Sequence, residues 1–380
     1  MKRSLTPLLA CLSLLLHGCK QRPVTTTSDC RVFSGALLVV DSNRLVKIRH
    51  NFTTQQDEII ELISGDSARS MRSSPQCLSP DGRFLVINIE RSGTADPTRI
   101  FEIATKKEIT LEGRDLEDVR WSPDSSHFNC GRKGRVYLVS SEGKVKVVFY
   151  NQSVGRYVRD GREFGVAASL SDGHWLSERE FILQYRRASL PGALVGGDST
   201  ASDTTALVSL DRPIQNFDFR FHVMDRSRDG KWVLVTENQA GFGSMRVFPT
   251  EEISSLTKAR WDSAAAIRRG IFGFVGNPPL LVGHEGSESG IQTTDLLGKR
   301  RFAGQAPQGM PFAGKPFADM MVAYSDTTQM FISATSNKVG DHSTSRHDFL
   351  FDYATGQQTQ LKLPSLGLNA EIVGWINDRP

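Results

Sequence analysis

Residues 79–87 read SPDGRFLVI, a turn signal followed directly by a strand signal. Pro80 presets φ for the second position of a type I turn, and Gly82 tolerates the positive φ with which such a turn ends. Ser79 and Asp81 carry side chains that hydrogen-bond backbone groups two residues further along the chain. The apolar run FLVI that follows favours a strand covered on both faces. The stretch therefore predicts a tight turn that leads into a buried strand.

The same signal returns further along the chain. WSPDSSHFNC at 121–130 and RSRDGKWVLVT at 226–236 repeat the serine, the aspartate two positions later and the strand. The motif residues are Ser79, Asp81, Ser122, Asp124, Ser227 and Asp229. Looser copies are WLSEREFIL at 175–183, FGFVGNPPLLVGH at 272–284, VAYSDTTQMFISAT at 322–335 and IVGWINDRP at 372–380. A repeat of about 40 to 50 residues with four strand-like runs per unit is typical of a β-propeller.

The seven copies predict an all-β fold, a seven-bladed β-propeller, and the two ends of the chain predict how the ring closes. IVGWINDRP carries an inner strand and its turn, with no strand after it, whereas GALLVVDSNRLVKIRHN at 35–51 carries two strands with no inner strand before them. Each half alone leaves an unpaired strand edge, which is an aggregation liability. We therefore expect one blade to be shared between the termini.

The clear copies SPDG, SPDS and SRDG resemble the repeat motif of TolB-like and WD-repeat-like bacterial β-propellers. The resemblance covers roughly the whole mature chain, 31–380, but the motif is specific in only three of the seven copies. It implies a fold. Because such propellers include scaffolds, binding proteins and enzymes, it does not imply an activity.

The N-terminus resembles a bacterial lipoprotein signal. Lys2 and Arg3 precede an apolar run, LTPLLACLSLLL, which is too short to span a bilayer and is typical of a secretory signal. LHGC, ending at Cys19, resembles a lipobox, although His17 departs from the usual small or aliphatic residue. We expect a signal peptide over 1–18 and a lipidated Cys19 with a tether over 19–30. The alternatives are a lipobox at Cys11 and simple secretion.

The residue after Cys19 is Lys20 rather than the aspartate associated with inner-membrane retention. The resemblance therefore implies an outer-membrane lipoprotein that faces the periplasm, with a secreted or surface-exposed protein as the alternative. The formal net charge of +4 falls once the basic signal is removed, which argues against a nucleic-acid partner. In an oxidising compartment Cys30 and Cys77 could form a disulfide, with buried thiols as the other reading.

No phosphate-binding, dinucleotide-binding or metal-ligand motif is found, and we predict neither a cofactor nor a metal. GSESG at 286–290 has Glu288 where a nucleophile elbow requires serine. DHSTSRHD at 341–348 offers four possible ligands, but their spacing favours a solvated polar loop. These ligands are Asp341, His342, His347 and Asp348.

Polar residues just before the turn motifs could line the propeller channel. They are Asp118, Arg120, His174, Asp225 and Arg226. A carboxylate pair there could do acid–base work, while structural, water-bridged polar residues are the alternative. We expect the motif aromatics to pack between blades, and these are Trp121, Trp175, Trp232 and Trp375. TKARWDSAAAIRRG at 257–270 is the helix candidate, with an irregular strand and loop as the alternative.

Strand alternation sends the long connections to one face of the propeller, where binding usually occurs. The two longest belong to neighbouring blades and form a basic and aromatic group. This group is Arg156, Tyr157, Arg159, Arg162, Arg186 and Arg187. We therefore favour a monomeric, non-catalytic module that binds or scaffolds an envelope protein or glycan. The alternative is a polysaccharide- or peptide-acting hydrolase or lyase with acidic residues in the channel.

Overall fold

The structure is a computed structural model, and it describes a set of ranges separated by gaps. These ranges are 36–41, 44–51, 56–64, 69–72, 77–91, 94–95, 98–111, 116–132, 135–150, 156–159, 162–165, 170–187, 202–237, 244–267, 271–276, 278–284, 291–297, 300–303, 319–324, 329–337, 344–352, 358–361 and 370–376. The predicted signal peptide, Cys19 and the tether lie outside the described residues. Within the described ranges no helix is long and apolar enough to cross a membrane.

The described part of the chain is built almost entirely of β-strands. In chain order they are β1 (Ala36–Asp41), β2 (Arg44–Asn51), β3 (Gln56–Ser64), β4 (Arg69–Arg72), β5 (Phe84–Arg91), β6 (Thr94–Ala95), β7 (Thr98–Glu102), β8 (Lys107–Leu111), β9 (Glu117–Trp121), β10 (His127–Arg132), β11 (Arg135–Ser140), β12 (Val145–Tyr150), β13 (Arg156–Arg159), β14 (Arg162–Gly165) and β15 (Leu170–Trp175). They continue as β16 (Glu180–Arg187), β17 (Ser202–Ser209), β18 (Gln215–Asn216), β19 (His222–Arg226), β20 (Trp232–Thr236), β21 (Met245–Pro249), β22 (Ile271–Val275), β23 (Leu280–His284), β24 (Ile291–Thr294), β25 (Arg300–Ala303), β26 (Asp319–Tyr324), β27 (Gln329–Asn337), β28 (Thr344–Asp352), β29 (Gln358–Leu361) and β30 (Glu371–Ile376).

The strands form antiparallel sheets in which most strands pair with their neighbour along the chain. Sheet A contains β4, β5, β7 and β8, and β6 pairs with its strand β5. Sheet B contains β9–β12, sheet C contains β15–β18, and sheet D contains β19–β21. Sheet E contains β22–β25, and sheet F contains β26–β29. The terminal sheet has the order β3-β2-β1-β30, so strands from the two ends of the chain pair in one sheet. β13 and β14 form a two-stranded sheet of their own.

The first strands of several neighbouring sheets lie side by side. β9 lies beside β15, β15 beside β19, β19 beside β22, and β26 beside β30. Four-stranded up-and-down sheets arranged with their first strands adjacent are the blades of a β-propeller. The all-β propeller fold expected from the sequence is therefore confirmed.

The turn motif has one geometry in its three clear copies. In the first, the Ser79 main-chain N–H donates to the carbonyl of Phe84 at 2.8 Å, and the Ser79 hydroxyl donates to Asp81 Oδ1 at 2.6 Å. The Phe84 N–H then donates to the Ser79 hydroxyl at 2.9 Å. The copies at Ser122 and Ser227 repeat all three bonds, and all three serines are buried. The serine and aspartate therefore close the turn and align the first two strands of each blade.

The fourth position of the motif is left-handed, as the sequence predicts. Its φ is 73° at Gly82, 72° at Gly230 and 61° at Ser125. Glycine adopts this conformation without strain, whereas a serine does so at a cost of about 1–2 kcal/mol.

The copy at 175–183 is degenerate in a specific way. Leu176 takes the place of the motif serine, because its N–H donates to the Glu180 carbonyl at 2.8 Å across a turn one residue shorter. Leu176 is buried, so packing replaces the serine hydrogen bonds at this turn.

One hydrophobic cluster joins the terminal sheet to sheets A and B. It includes Leu38 of β1, Val373 of β30, Leu85 of β5 and Phe128 of β10, each almost completely buried. The last strand of the chain therefore contributes to the same core as residues more than two hundred positions earlier in the sequence.

The helix candidate at 257–270 is only partly helical. A 3-10 helix, Thr250–Ser255, precedes an α-helix, α1 (Lys258–Ser263), which ends seven residues before the glycine that closes the candidate stretch. The chain leaves α1 at Ala264 because the Ile267 N–H bonds the Met245 carbonyl at 2.8 Å, which extends the edge of β21. Trp261 anchors α1, because its side chain is fully buried in the core of sheets C and D.

Candidate functional site

Three consecutive blades place Arg120, His174 and Asp225 at equivalent positions near the end of their first strands. We call these residues the inner tier. Each is the penultimate residue of its strand, and each pairs across the blade with the second strand: Arg120 with Asn129, His174 with Ile182, and Asp225 with Leu234. Because their strands are neighbours, the sequence prediction that these residues converge near the channel agrees with the strand arrangement.

Both carboxylate oxygens of Asp225 accept main-chain hydrogen bonds. Oδ2 accepts from the Phe274 N–H of the next blade at 2.7 Å, and Oδ1 accepts from the Arg226 N–H at 2.8 Å. Burial raises the pKa of Asp225 to about 6, although these two bonds and the charge of Arg120 act to lower it. Asp225 is therefore a carboxylate that joins sheets D and E.

His174 is held neutral. Burial lowers the pKa of His174 well below its usual value, and the positive charges of Arg120 and His222 lower it further. His222, which the sequence reasoning missed, is 1% exposed, and its Nε2 accepts a hydrogen bond from Arg220 Nε at 3.1 Å.

Side chains near the first strands also join the other neighbouring sheets. Trp121 Nε1 donates to the Cys77 carbonyl at 2.8 Å, and Trp175 Nε1 donates to the Arg120 carbonyl at 2.9 Å. Asn129 Nδ2 donates to the Gly173 carbonyl at 2.7 Å. These bonds place the indoles of Trp121 and Trp175 between neighbouring blades, and they join those blades through main-chain carbonyls.

The remaining predicted channel residues differ from the inner tier. Asp118 is exposed and has a left-handed backbone, with φ of 54°. It lies where the pairing of β9 with β10 shifts register, as expected at a β-bulge. Arg226 is half-buried, and burial lowers its pKa while Asp229 raises it. The described structure thus places one predicted channel carboxylate, Asp225, in the tier and the other, Asp118, at an exposed position.

The other sequence candidates give no site among the described residues. His347 and Asp348 lie in β28, while Asp341, His342 and Glu288 fall outside the described ranges. No group of three or more histidine, cysteine, aspartate or glutamate side chains that could hold a metal occurs in the part of the chain that the structure describes. Cys77 is buried, but Cys30 lies outside the described residues, so their pairing stays a prediction.

The predicted arginine group lies on two elements, the hairpin β13–β14 and the end of sheet C. In the hairpin, Arg159 pairs with Arg162, Tyr157 with Phe164, and Arg156 with Gly165. Like charges directly opposite each other destabilise a strand pair. The register therefore places two basic residues at directly opposed positions of the hairpin.

Arg186 and Arg187 are at the last positions of β16. Arg186 pairs with Asp203, so an opposite charge lies across from it, and Arg187 pairs with Ser202. Leu170, the first residue of β15, pairs with Tyr185 and so lies at this same end of sheet C. Gly165 ends β14 five residues before Leu170, a distance of at most about 18 Å. Chain connectivity therefore limits how far the hairpin can lie from this end of sheet C.

This end of sheet C belongs to the face with the long connections. The links from second to third strands and from one sheet to the next lie at this face, as the strand order requires. At the opposite face the first strands end in the serine–aspartate turns, and the third strands end in short turns such as 103–106 and 141–144.

Solved structures give likenesses of fold. A structure from work on two prolyl endopeptidases matches with a TM-score of 0.50 and 12% identity over 87% of this chain, which spans 50% of that protein. An oligogalacturonate lyase in complex with manganese matches with a TM-score of 0.50 and 13% identity, covering 86% of this chain and 83% of that one.

Two further matches carry the names of propeller proteins. The β-propeller domain of the Trilobed protease from Pyrococcus furiosus matches with a TM-score of 0.49 and 12% identity, covering 88% of this chain and 100% of that one. TolB from Acinetobacter baumannii matches with a TM-score of 0.41 and 13% identity, covering 73% and 65%. No family profile and no curated protein sequence matches the chain. At these identities the matches show a likeness of fold alone.

Proposed function

We propose that the protein is an envelope-anchored β-propeller lipoprotein that binds or scaffolds a protein or glycan partner without catalysis. The partner docks on the face with the long connections, in the sector of the hairpin β13–β14 and the end of sheet C. The observation that carries the proposal is the Arg159–Arg162 pair, two like charges placed opposite each other in a hairpin that forms its own sheet.

The inner tier supports a non-catalytic role. A catalytic carboxylate needs an oxygen directed at the substrate, whereas both oxygens of Asp225 accept main-chain N–H groups. His174 has a lowered pKa and so stays uncharged near neutral pH. Asp225 joins two neighbouring blades, which gives the long connections a rigid base.

The proposal includes a ring of seven blades, made of sheets A to F and the terminal sheet. Pairing of β1 with β30 supports the shared blade, because it joins two incomplete halves and leaves neither edge open. A rigid closed ring with lipid on Cys19 would hold the binding face at a fixed orientation beside the outer membrane. A doubly or triply acylated cysteine would anchor it firmly, whereas a single chain binds only marginally.

A second candidate function is a hydrolase or lyase acting on a polysaccharide or peptide. Asp225 favours it, because a half-buried carboxyl with a pKa of about 6 has the property of a general acid. Enzymes with similar folds, the oligogalacturonate lyase among them, make this alternative reasonable. It requires Asp225 to exchange one main-chain bond for a substrate contact.

Affinity capture from the organism's own envelope tests the proposal. We expect a reproducible partner with the wild-type protein and loss of capture when Arg156, Arg159 and Arg162 are all changed to alanine, with an unchanged melting temperature. Arg83→Ala and Arg228→Ala, in turns at the opposite face, form the matched control and should leave capture intact. If the triple variant captures the partner as well as the wild type, the binding site lies elsewhere.

The enzymatic alternative has its own experiment. Asp225→Asn should abolish any hydrolase or lyase activity of the purified protein towards a polysaccharide or peptide library, while partner capture remains. Activity in the wild type that this variant loses would replace the scaffold proposal.

A further inference from the structure

The inner tier places polar side chains in three consecutive blades, and the blades on either side have apolar residues at the same position. Cys77 holds this position in the first copy of the motif, two residues before its serine. Phe274 holds it in sheet E, as the penultimate residue of β22. Both residues are buried. The polar side chains of the tier are therefore confined to one sector, formed by the first strands of sheets B, C and D.

Solvent reaches the polar side chains of the tier although residues beside them are buried. Arg120, His174 and Asp225 are all half-buried. The residues that flank the first two along the chain are buried, and these are Val119, Trp121, Gly173 and Trp175. Polar groups that solvent reaches between buried neighbours line a recess. A recess in which a few polar groups converge is typical of a site for a small ligand.

The side chains of the tier act on one another across the blades. β15 lies within 8 Å of both β9 and β19 between Cα atoms. Burial lowers the pKa of His174, and the positive charges of Arg120 and His222 lower it further. Burial raises the pKa of Asp225, and its two main-chain bonds and the charge of Arg120 oppose that rise. Since such charge effects act at short range, Arg120 lies close to side chains of both following blades.

The carboxylate of the tier is already used by the main chain. Its Oδ2 accepts from the Phe274 N–H at 2.7 Å, and its Oδ1 accepts from the Arg226 N–H at 2.8 Å. Asp225 therefore acts on a ligand mainly through its negative charge. Asp118, the other carboxylate whose side chain is described on these three first strands, is exposed.

Arg120 and His174 supply the hydrogen-bond donors of the tier. A guanidinium has several N–H donors, so Arg120 can bind a ligand in addition to protein groups. A neutral imidazole keeps an N–H donor, and burial holds His174 neutral. Arg220, whose Nε donates to His222 at 3.1 Å, adds positive charge before the start of β19. Positive charge and N–H donors together are complementary to an oxyanion, whose oxygens accept charge-assisted bonds from a planar guanidinium.

We infer that the inner tier binds the oxyanion of a small molecule, a carboxylate or a phosphate group, through Arg120 and His174. The site goes beyond the proposed function, because the tier lies towards the turn ends of the first strands, away from the long connections. A divalent cation fits less well, since the charge of Arg120 repels it and no group of three metal-binding side chains occurs in the described ranges. The negative charge of Asp225 limits the affinity for the anion.

Binding of inorganic phosphate and of succinate to the purified full-length protein tests the inference, and the two probes distinguish a phosphate from a carboxylate ligand. NMR of the His174 ring protons localises each probe, because an anion bound beside the ring shifts their resonances. We expect saturable shifts with at least one probe at about pH 7.5, where Asp225, with a pKa of about 6, is ionised. Arg120→Gln should weaken binding at least about tenfold. Asp225→Asn should tighten it at least about threefold, because it removes a negative charge beside the anion.

The opposite effects of these two variants separate a binding role from a structural one. A change that only loosens the contacts between blades would weaken binding in both variants. Arg120→Lys keeps the charge but loses the planar fork, so it should bind with intermediate affinity, and it carries the test if Arg120→Gln does not fold. Arg83→Gln with Arg228→Gln removes two exposed charges in the turns and should bind like the wild type.

The inference is wrong if neither probe gives saturable shifts of the His174 ring protons. It is also wrong if Arg120→Gln, with the melting temperature of the wild type, binds the probes equally well. Weaker binding in Asp225→Asn at an unchanged melting temperature would contradict the charge argument. Binding that falls to the same extent in the Arg83 and Arg228 variant would show an adventitious ion only, held by surface charges.

Discussion

The indole of Trp121 donates a 2.8 Å hydrogen bond to the main-chain carbonyl of Cys77, which is 44 residues earlier and two residues before Ser79 of the first turn motif. The same ring stacks near Phe84 at 5.9 Å and packs against Phe128 at 4.9 Å between ring centroids. One residue of the turn motif therefore packs within the core and joins two consecutive blades.

Trp121→Phe tests the contribution of this bond. Phenylalanine keeps most of the ring packing but removes the N–H, so the buried Cys77 carbonyl loses this donor. We expect the free energy of unfolding, measured in urea, to fall by about 1–3 kcal/mol. The companion variant Trp175→Phe removes the bond to Arg120 and should lose a similar amount. Equal stability of Trp121→Phe and the wild type would show that packing alone holds these blades together.

The parts of the fold that the sequence predicts are those set by residues close together in the chain or by incomplete strand sets at its two ends. Serine, aspartate and glycine of the motif act within six residues, so Ser79, Asp81 and Gly82 predict the observed turn from residue types alone. The incomplete strands at the two ends predicted the pairing of β1 with β30 because open edges are unfavourable.

Long-range contacts explain what the sequence does not predict. Asn129 bonds Gly173, and Gln184 bonds the Phe221 carbonyl, and neither pair has a local pattern that indicates it. His222 was missed because a single histidine in an apolar strand has no signature. The register shifts in the first strands could have been predicted from the sequence. Gly173 and Gly374 interrupt two of these strands close to the shifts, and a glycine inside a strand often indicates a β-bulge.

The proposed binding group stays a prediction, and the structure adds only its strand register. Connection lengths predict that its six basic and aromatic residues share one face, and the strand pairing distinguishes among them. It places Arg186 opposite Asp203 and Arg159 opposite Arg162, a distinction that composition cannot make.

Ser125 offers a test of backbone strain in the motif. Its φ of 61° favours glycine, but its hydroxyl accepts a hydrogen bond from the Asp81 N–H of the preceding blade at 3.1 Å. Ser125→Gly and Ser125→Ala both lose this bond, and only glycine relieves the strain. We expect Ser125→Gly to be more stable than Ser125→Ala by about 1 kcal/mol in urea unfolding.

Ser126 supplies the control, because it is not among the residues with positive φ. There alanine should be the more stable replacement, since glycine loses more conformational entropy on folding. The strain argument fails if alanine is at least as stable as glycine at Ser125.

The motif aspartates predict a loss of stability in acid. Burial acts to raise the pKa of Asp124 and of Asp229, but hydrogen bonds from the motif serines and nearby N–H groups give both a net lowered pKa. A lowered folded-state pKa stabilises the fold above the unfolded value of about 3.9, and that contribution is lost as pH falls through the lower folded value. Unfolding free energy should therefore decrease between about pH 4 and pH 2.

Asp124→Asn with Asp229→Asn isolates this effect. Asparagine still offers Oδ1 to the motif serine and to the N–H two residues after it, so the turn can form without a carboxylate. We expect a flatter dependence of unfolding free energy on pH below about pH 4. Parallel curves for the variant and the wild type over this range would assign acid sensitivity to other groups.

Arg120→Gln tests the electrostatic connection within the inner tier. The charge of Arg120 lowers the pKa of His174 by disfavouring the imidazolium, and it lowers the pKa of Asp225 by favouring the carboxylate. Glutamine should therefore raise both pKa values in one step. Titration by NMR, following the His174 ring protons and the Asp225 carboxyl carbon, should show Asp225 titrating above its wild-type pKa of about 6. A shift in only one group, or shifts in opposite directions, would exclude the shared influence of Arg120.

Removal of the last strand tests the shared blade. β30 places Ile372 and Val373 completely inside the core, and its loss would expose β1 as an open edge. Burial of two such side chains and Ile376 contributes about 1.5–3 kcal/mol each. A chain ending at Ala370 should therefore melt at least about 10 °C below the wild type, whereas a chain ending at Ile376 should melt close to it. A synthetic peptide of residues 366–380 should restore much of the melting temperature by pairing with β1. If the chain ending at Ala370 melts like the wild type, the ring does not depend on a blade shared between the termini.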